Sequence, residues 1–124
     1  MNDILKIYLQ NNFNLSAKEI IEITAYFKPL ILDTGNYFLH QGKISDSMGF
    51  IVKGVMRSHN INGNANDVTN FFLKENQFFG NLDSYTNERP SPVNIQAITK
   101  CELLIIKKAE AEKLNKALPI WTQQ

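Results

Sequence analysis

The residues best placed to do chemistry lie in the stretch 78–97. It reads Phe78-Phe79-Gly80-Asn81-Leu82-Asp83-Ser84-Tyr85, then Thr86-Asn87-Glu88-Arg89-Pro90, then Ser91-Pro92-Val93-Asn94-Ile95-Gln96-Ala97. The chemistry it suits is anion binding. An aromatic pair ends an apolar segment, a glycine follows, and a short run able to make one helical turn comes next. Gly80 can take backbone angles closed to other residues and lets a ligand approach the main chain. A helical turn starting there would aim unpaired N–H groups outward, which suits phosphate. The same spacing also describes a glycine turn between a strand and a helix with nothing bound. On spacing alone that plainer reading is favoured, because glycine turns are common and anion sites are few.

Other chemistry is sparsely supplied. His40 and His59 are far apart in sequence and fall in different strand segments. A rolled sheet could bring them to one metal, as in cupins, but the closely spaced His-x-His with a following Glu is absent. Two lone histidines more often serve packing or surface roles. Ser47, Ser58, Ser84 and Ser91 have no convincing His or Asp partner, so no enzyme and no cofactor are expected. Cys101 opens an apolar strand, Cys101-Glu102-Leu103-Leu104, and reads as a small core residue. Arg57 reads as a solvent-facing cation. Phe71, Phe72, Phe78 and Phe79 read most simply as core, with one or two able to line a pocket mouth.

The elements that must position these residues follow from periodicity. Ile4, Leu5, Tyr8 and Leu9 have helical spacing, Asn2 or Asp3 can cap, and Asn11, Asn12 and Asn14 break the pattern. Ser16 with Glu19 forms a capping-box signature ahead of a second helix carrying Ile20, Ile23 and Phe27. Pro29 is expected to stop that helix. From Leu30 the period becomes alternating. Strands are expected at 30–32, 37–39, 48–53, 55–61, 68–73, 93–98 and 101–106, with turns at Gly35, Gly42 and Asn62-Gly63-Asn64. Many short strands with close turns argue for an all-β sandwich or barrel. Residues 109–118 are rich in helix formers. Pro119 breaks that helix or opens another, and Ile120-Trp121 look like the start of one.

Bulk properties agree with a small folded unit. The chain has 124 residues, 44% hydrophobic and 20% charged, enough for one domain with one core. A net charge of +1 gives no electrostatic reason to expect nucleic-acid binding. One cysteine permits no internal disulfide, in keeping with a cytoplasmic location. No signal peptide or membrane span is legible, and no membrane partner is expected. No repeat or linker divides the chain, so residues 1–124 read as one domain.

Several short segments, taken in order, carry a family resemblance. They are Leu15-Ser16, Phe27-Lys28-Pro29, Asp33-Thr34-Gly35-Asn36-Tyr37-Phe38-Leu39 with Gln41-Gly42, and Phe50-Ile51-Val52-Lys53-Gly54-Val55-Met56-Arg57. Phe79-Gly80-Asn81-Leu82-Asp83-Ser84 and Asn94-Ile95-Gln96-Ala97-Ile98 follow. Together they resemble the N-terminal sensor domain of the Crp/Fnr superfamily of bacterial transcription regulators, in a variant of the Bacteroidetes type. The resemblance spans about residues 15–121. It implies a mainly β fold with flanking helices: an eight-stranded jelly-roll or double-stranded β-helix, the cyclic-nucleotide-binding β-roll.

It also implies that the stretch 78–97 is a phosphate-binding cassette, with Phe79, Gly80, Asn81, Leu82, Asp83, Ser84, Ser91, Pro92 and Val93 at the ligand. In ligand-binding members an acidic residue follows the glycine and binds the ribose hydroxyl, and an arginine binds the cyclic phosphate. Here Asn81 holds the acidic position. The arginine position falls at Ser91, with Pro92 next to it. Asn81 can still bond a hydroxyl, but the charge-assisted bond to phosphate is lost, and Asp83 adds a repelling charge. The expected effector is therefore a small anion other than a normally bound cyclic nucleotide. Iron–sulfur sensing is excluded, since one cysteine cannot supply four ligands. By the same resemblance, DNA is reached only through a C-terminal domain not in this chain, and the longer protein is a homodimer joined by the helix after Trp121. The alternative on the same fold is a ligand-free dimerisation or interaction module.

Overall fold

In the computed structural model, residues 2–119 are described, and they form four helices and eight strands. Helix α1 (Asn2–Asn12) buries Leu5 and Leu9, four apart on one face. It runs through Asn11 and Asn12 instead of breaking at them. The Asn12 side-chain amide donates to the Tyr8 carbonyl at 2.9 Å, satisfying an acceptor at the helix end. Asn2 and Asp3 lie inside the helix and not at its cap.

Helix α2 (Ala17–Ala25) starts as its sequence predicts. Ser16 Oγ accepts from the Glu19 N–H at 3.1 Å, and Glu19 Oε1 accepts from the Ser16 N–H at 2.7 Å. The helix stops at Ala25, well before Pro29. Tyr26 and Phe27 close it with N–H bonds to the carbonyls of Ile23 and Thr24, at 3.1 and 3.2 Å. Pro29 instead sits in strand β1 (Lys28–Leu32). That strand is at the edge of its sheet, where a missing N–H costs least.

The strands after β1 are β2 (Tyr37–Leu39), β3 (Ser47–Lys53), β4 (Met56–Ile61), β5 (Asp67–Leu73) and the two-residue β6 (Phe78–Phe79). Helix α3 (Leu82–Asn87), strands β7 (Asn94–Ala97) and β8 (Cys101–Lys107), and helix α4 (Lys108–Ala117) complete the described part. Two antiparallel four-stranded sheets result, in the orders β1-β8-β3-β6 and β2-β7-β4-β5. This is the β-roll that the sequence leads one to expect. Ile120 and Trp121 lie outside the described residues. No helix among the described residues is long and apolar enough to cross a membrane.

Burial explains the strand patterns. Between the sheets lie Leu32, Ile51, Cys101 and Leu103 from one side and Leu39, Met56, Ile95 and Ala97 from the other. The outer face of the first sheet presents Phe50, Leu104 and Ile106, covered by Leu5, Leu9, Ile20, Ile23 and Leu114 of the helices. Strands β3 and β8 are thus buried on both faces, which is why they read as nearly continuous apolar runs. Phe71 and Phe72 depart from expectation. They are 56% and 63% exposed on β5, an edge strand with no neighbour beyond it.

Arg57 also differs from the solvated cation expected. On the outer face of the second sheet it donates to Asp67 Oδ2 at 2.8 Å, Thr69 Oγ1 at 3.0 Å and Gln96 Oε1 at 3.3 Å. His59, almost fully buried, donates from Nδ1 to Asp67 Oδ1 at 3.1 Å. The bonds from Arg57, aided by His59, hold the Asp67 carboxyl below the usual aspartate range. A lowered folded-state value stabilises the fold above the unfolded-state value and is lost as pH falls through the folded one.

Two outcomes test this account. Ser16→Ala should lower the unfolding free energy by about 1 kcal/mol in urea titrations, the usual worth of an N-cap. Asp67→Asn should lower the urea midpoint at neutral pH, with the gap to the parent protein closing as pH falls from the usual aspartate value through the lowered folded-state one.

Candidate functional site

The cassette begins where β6 crosses β3, with Phe79 opposite Gly49 and Phe78 opposite Phe50. A Cβ on Gly49 would overlap the Phe79 ring and lie 2.8 Å from Ile105 Cδ1. The missing side chain lets Phe79 turn into the roll, where it meets Phe38 edge-on at 4.7 Å between centroids. Gly80 follows at φ +145, and a Cβ there would overlap the Met48 sulfur. Both the backbone angle and the space demand glycine.

Asn81 then caps α3. Its Oδ1 accepts from the Ser84 N–H at 2.9 Å, and its carbonyl accepts from the Tyr85 N–H at 3.0 Å. The outward N–H array expected from sequence is therefore reduced, because Asn81 itself takes the Ser84 donor. Ser84 is fully buried, and its hydroxyl accepts from the Ser45 N–H at 2.8 Å. Asp83 accepts from the Asn87 amide at 2.7 Å. Leu82 points outward, 67% exposed. Glu88, in the left-handed region, ends the helix, and its carboxylate meets Lys108 Nζ at 3.4 Å.

The second half of the cassette is pinned by the loop between β2 and β3. Pro90 bridges Ile44. The Ser91 N–H donates to the Lys43 carbonyl, and the Gly42 N–H donates to the Ser91 carbonyl, each at 2.7 Å. The Ser91 hydroxyl is buried and turned onto its own segment ahead of β7: it donates to the Val93 carbonyl at 2.8 Å and accepts from the Val93 N–H at 3.2 Å. Pro92 is exposed, and Val93 is half-buried against the roll interior. Asn94 Oδ1 accepts from the Gln41 N–H at 2.7 Å, fixing the start of β7.

The nine residues expected at the ligand thus form two groups, 79–84 and 91–93, joined through one loop. Ser45 and Lys43 of that loop were not legible as site residues. Their segment reads only as a turn, and their contacts to the cassette run largely through backbone groups that sequence does not display. Lys43 is the basic residue that this pairing sets beside Ser91.

The other candidates sit apart. The Tyr37 ring, on β2, stacks on His40 just beyond that strand at 4.3 Å and lies 6.0 Å from His59 on β4. No group of three or more His, Cys, Asp or Glu among the described residues could hold a metal. Cys101 is buried in the core, as expected, and burial pushes its thiol up. On this geometry Gly80→Ala should cost about 1–3 kcal/mol through backbone strain. Asn81→Ala should cost about 1 kcal/mol through the lost cap. Both are read from urea or thermal unfolding.

Residues 30–117 match the cyclic nucleotide-binding domain family. No curated protein matches the chain in sequence. Among solved structures, the catabolite activator protein of Thermus thermophilus is similar with a TM-score of 0.81 at 20% identity, over 89% of this chain and 51% of that one. A cyclic nucleotide-binding domain from Methylobacillus flagellatus gives a TM-score of 0.84 at 12% identity, over 95% and 67%. The sensor domain of the transcriptional regulator DNR from Pseudomonas aeruginosa gives 0.74 at 15% identity, over 98% and 84%. The chain spans about half the length of the Thermus protein. At these identities the structural likeness is one of fold. The family match covers most of the chain and takes in both halves of the cassette, so the chain belongs to the cyclic nucleotide-binding domain family.

Proposed function

We propose that this chain is the effector-sensing domain of a Crp/Fnr-type transcription regulator whose cassette does not bind cyclic AMP in the usual way. The observation that carries the second half is the state of Ser91. It stands where the resemblance puts the phosphate-binding arginine, and its hydroxyl is closed onto Val93. Asn81, in the place of the ribose-binding acid, has its side-chain oxygen engaged by Ser84. Neither position supplies a charge, and Asp83 adds a negative one. A small anionic effector would meet the first-turn N–H groups of α3 that Asn81 leaves unengaged, beside Phe79 and Val93. DNA contact and dimerisation would belong to a C-terminal helix and domain in a longer protein, as in Crp/Fnr-type regulators.

The exposed Leu82, Phe71 and Phe72 favour a second reading. In that reading the same fold is a ligand-free interaction module, and these apolar groups meet a protein surface.

A thermal-shift titration with cyclic AMP and cyclic GMP at millimolar concentration tests the proposal. Preferential binding to the native state must raise the melting temperature once concentration exceeds the dissociation constant. The expected result is no saturable rise. A saturable rise with either nucleotide would show that the domain binds cyclic nucleotide without the arginine and would overturn it.

A further inference from the structure

Strands β1 and β2 are consecutive in sequence but belong to different sheets, and each is an edge strand. The roll therefore has a seam between them that the sheet ladders do not close. A cavity of about 460 Å³ lies in this seam. Its body is apolar and aromatic, built from Tyr26, Pro29, Leu30, Tyr37, Phe38 and Ile105. That size and lining suit a small molecule. It shares no residue with the cassette positions.

Four charged residues, Lys28, Lys107, Asp46 and Glu110, also line it. Lys28 pairs with Ile105, and Ile105 faces the inner core. Side chains alternate along a strand, so Lys28 and Lys107 both belong to the roll's inner face, at its open end. They are diagonal neighbours on adjacent antiparallel strands, about 7–8 Å apart. The two carboxylates have partners of their own: Glu110 Oε1 meets Lys113 Nζ at 3.3 Å, and Asp46 Oδ1 accepts from Ser47 Oγ at 2.9 Å, a neutral donor that leaves its charge in place. Neither Lys28 nor Lys107 has an ion-pair partner among the described residues. Two lysines without an ion pair among the described residues thus stand at the rim of a mainly apolar cavity, with Asp46 as the acidic neighbour a ligand carboxylate must avoid.

We infer that this seam binds a small amphipathic carboxylate. The apolar body, best an aromatic ring, enters between Leu30 and Phe38, and the carboxylate is held by Lys28 and Lys107. Hydrogen bonds between two ionised partners are the strong ones, and the aromatic lining favours a flat ring. A neutral molecule of the same shape gains only the apolar contact.

The test titrates the protein with naphthylacetate, naphthylmethanol and naphthylmethylamine, followed by amide nitrogen–proton correlation spectra. Naphthylacetate should give saturable shifts centred on Lys28, Leu30, Tyr37, Phe38 and Lys107, leaving the amides of Gly80 and Ser84 in place. The alcohol and the amine should bind at least about tenfold more weakly. Lys28→Ala with Lys107→Ala should weaken naphthylacetate by about the same factor. Should the double variant lose its fold, Lys28→Gln and Lys107→Gln singly must each weaken binding. Equal affinity for the alcohol, unchanged affinity in the lysine variants, shifts centred on the cassette, or no saturable shift at millimolar naphthylacetate would each overturn the inference.

Discussion

The close approach of β6 to β3 is the constraint on which the rest of the cassette depends. Gly49 on β3 and Gly80 just after β6 make it possible from opposite sides. At Gly49 the absent side chain is replaced by the Phe79 ring, and at Gly80 by the Met48 thioether. Each aromatic or sulfur group fills the space a Cβ would take, so packing stays dense although two positions are bare. The two-residue strand is too short to be held by its own ladder. Side-chain interdigitation fixes it together with the backbone bonds of Ile51 to Gln77 and Asn76 just before it, and with it the direction in which the chain leaves for α3.

A second layer of support comes from the loop between β2 and β3. It offers the Ser45 N–H to Ser84 on one side and exchanges backbone bonds with Ser91 on the other. Two segments separated by a polar loop are thereby held as one surface. The serines at 84 and 91 are structural ties here, because each hydroxyl has its partner inside the protein. Their burial follows from that pairing, since an unpaired buried hydroxyl would be costly.

Much of the fold was legible because the signals were local. The capping box at Ser16 and Glu19, the glycine turns and the change from helical to alternating period each depend on a few adjacent residues. What was not legible depends on distant partners. Pro29 reads as a helix stop, yet α2 has already closed and the proline rests in an edge strand. Phe71 and Phe72 read as core, yet β5 has a partner on one edge only. Arg57 reads as solvated, but a register set by β4, β5 and β7 surrounds it with Asp67, Thr69 and Gln96. At the cassette, residue types showed that charge was missing. They did not show that Ser91 is turned inward or that Asn81 occupies its own helix's donor.

The tie between Ser84 and Ser45 has a dynamic consequence. Helix α3 is a six-residue element, too short to persist alone. Its opening must break the bond to Ser45, and the same loop carries the bonds to Ser91. The short helix, the loop and the segment leading into β7 are therefore tied by hydrogen bonds, so that opening α3 also frees one anchor of the loop that holds Ser91.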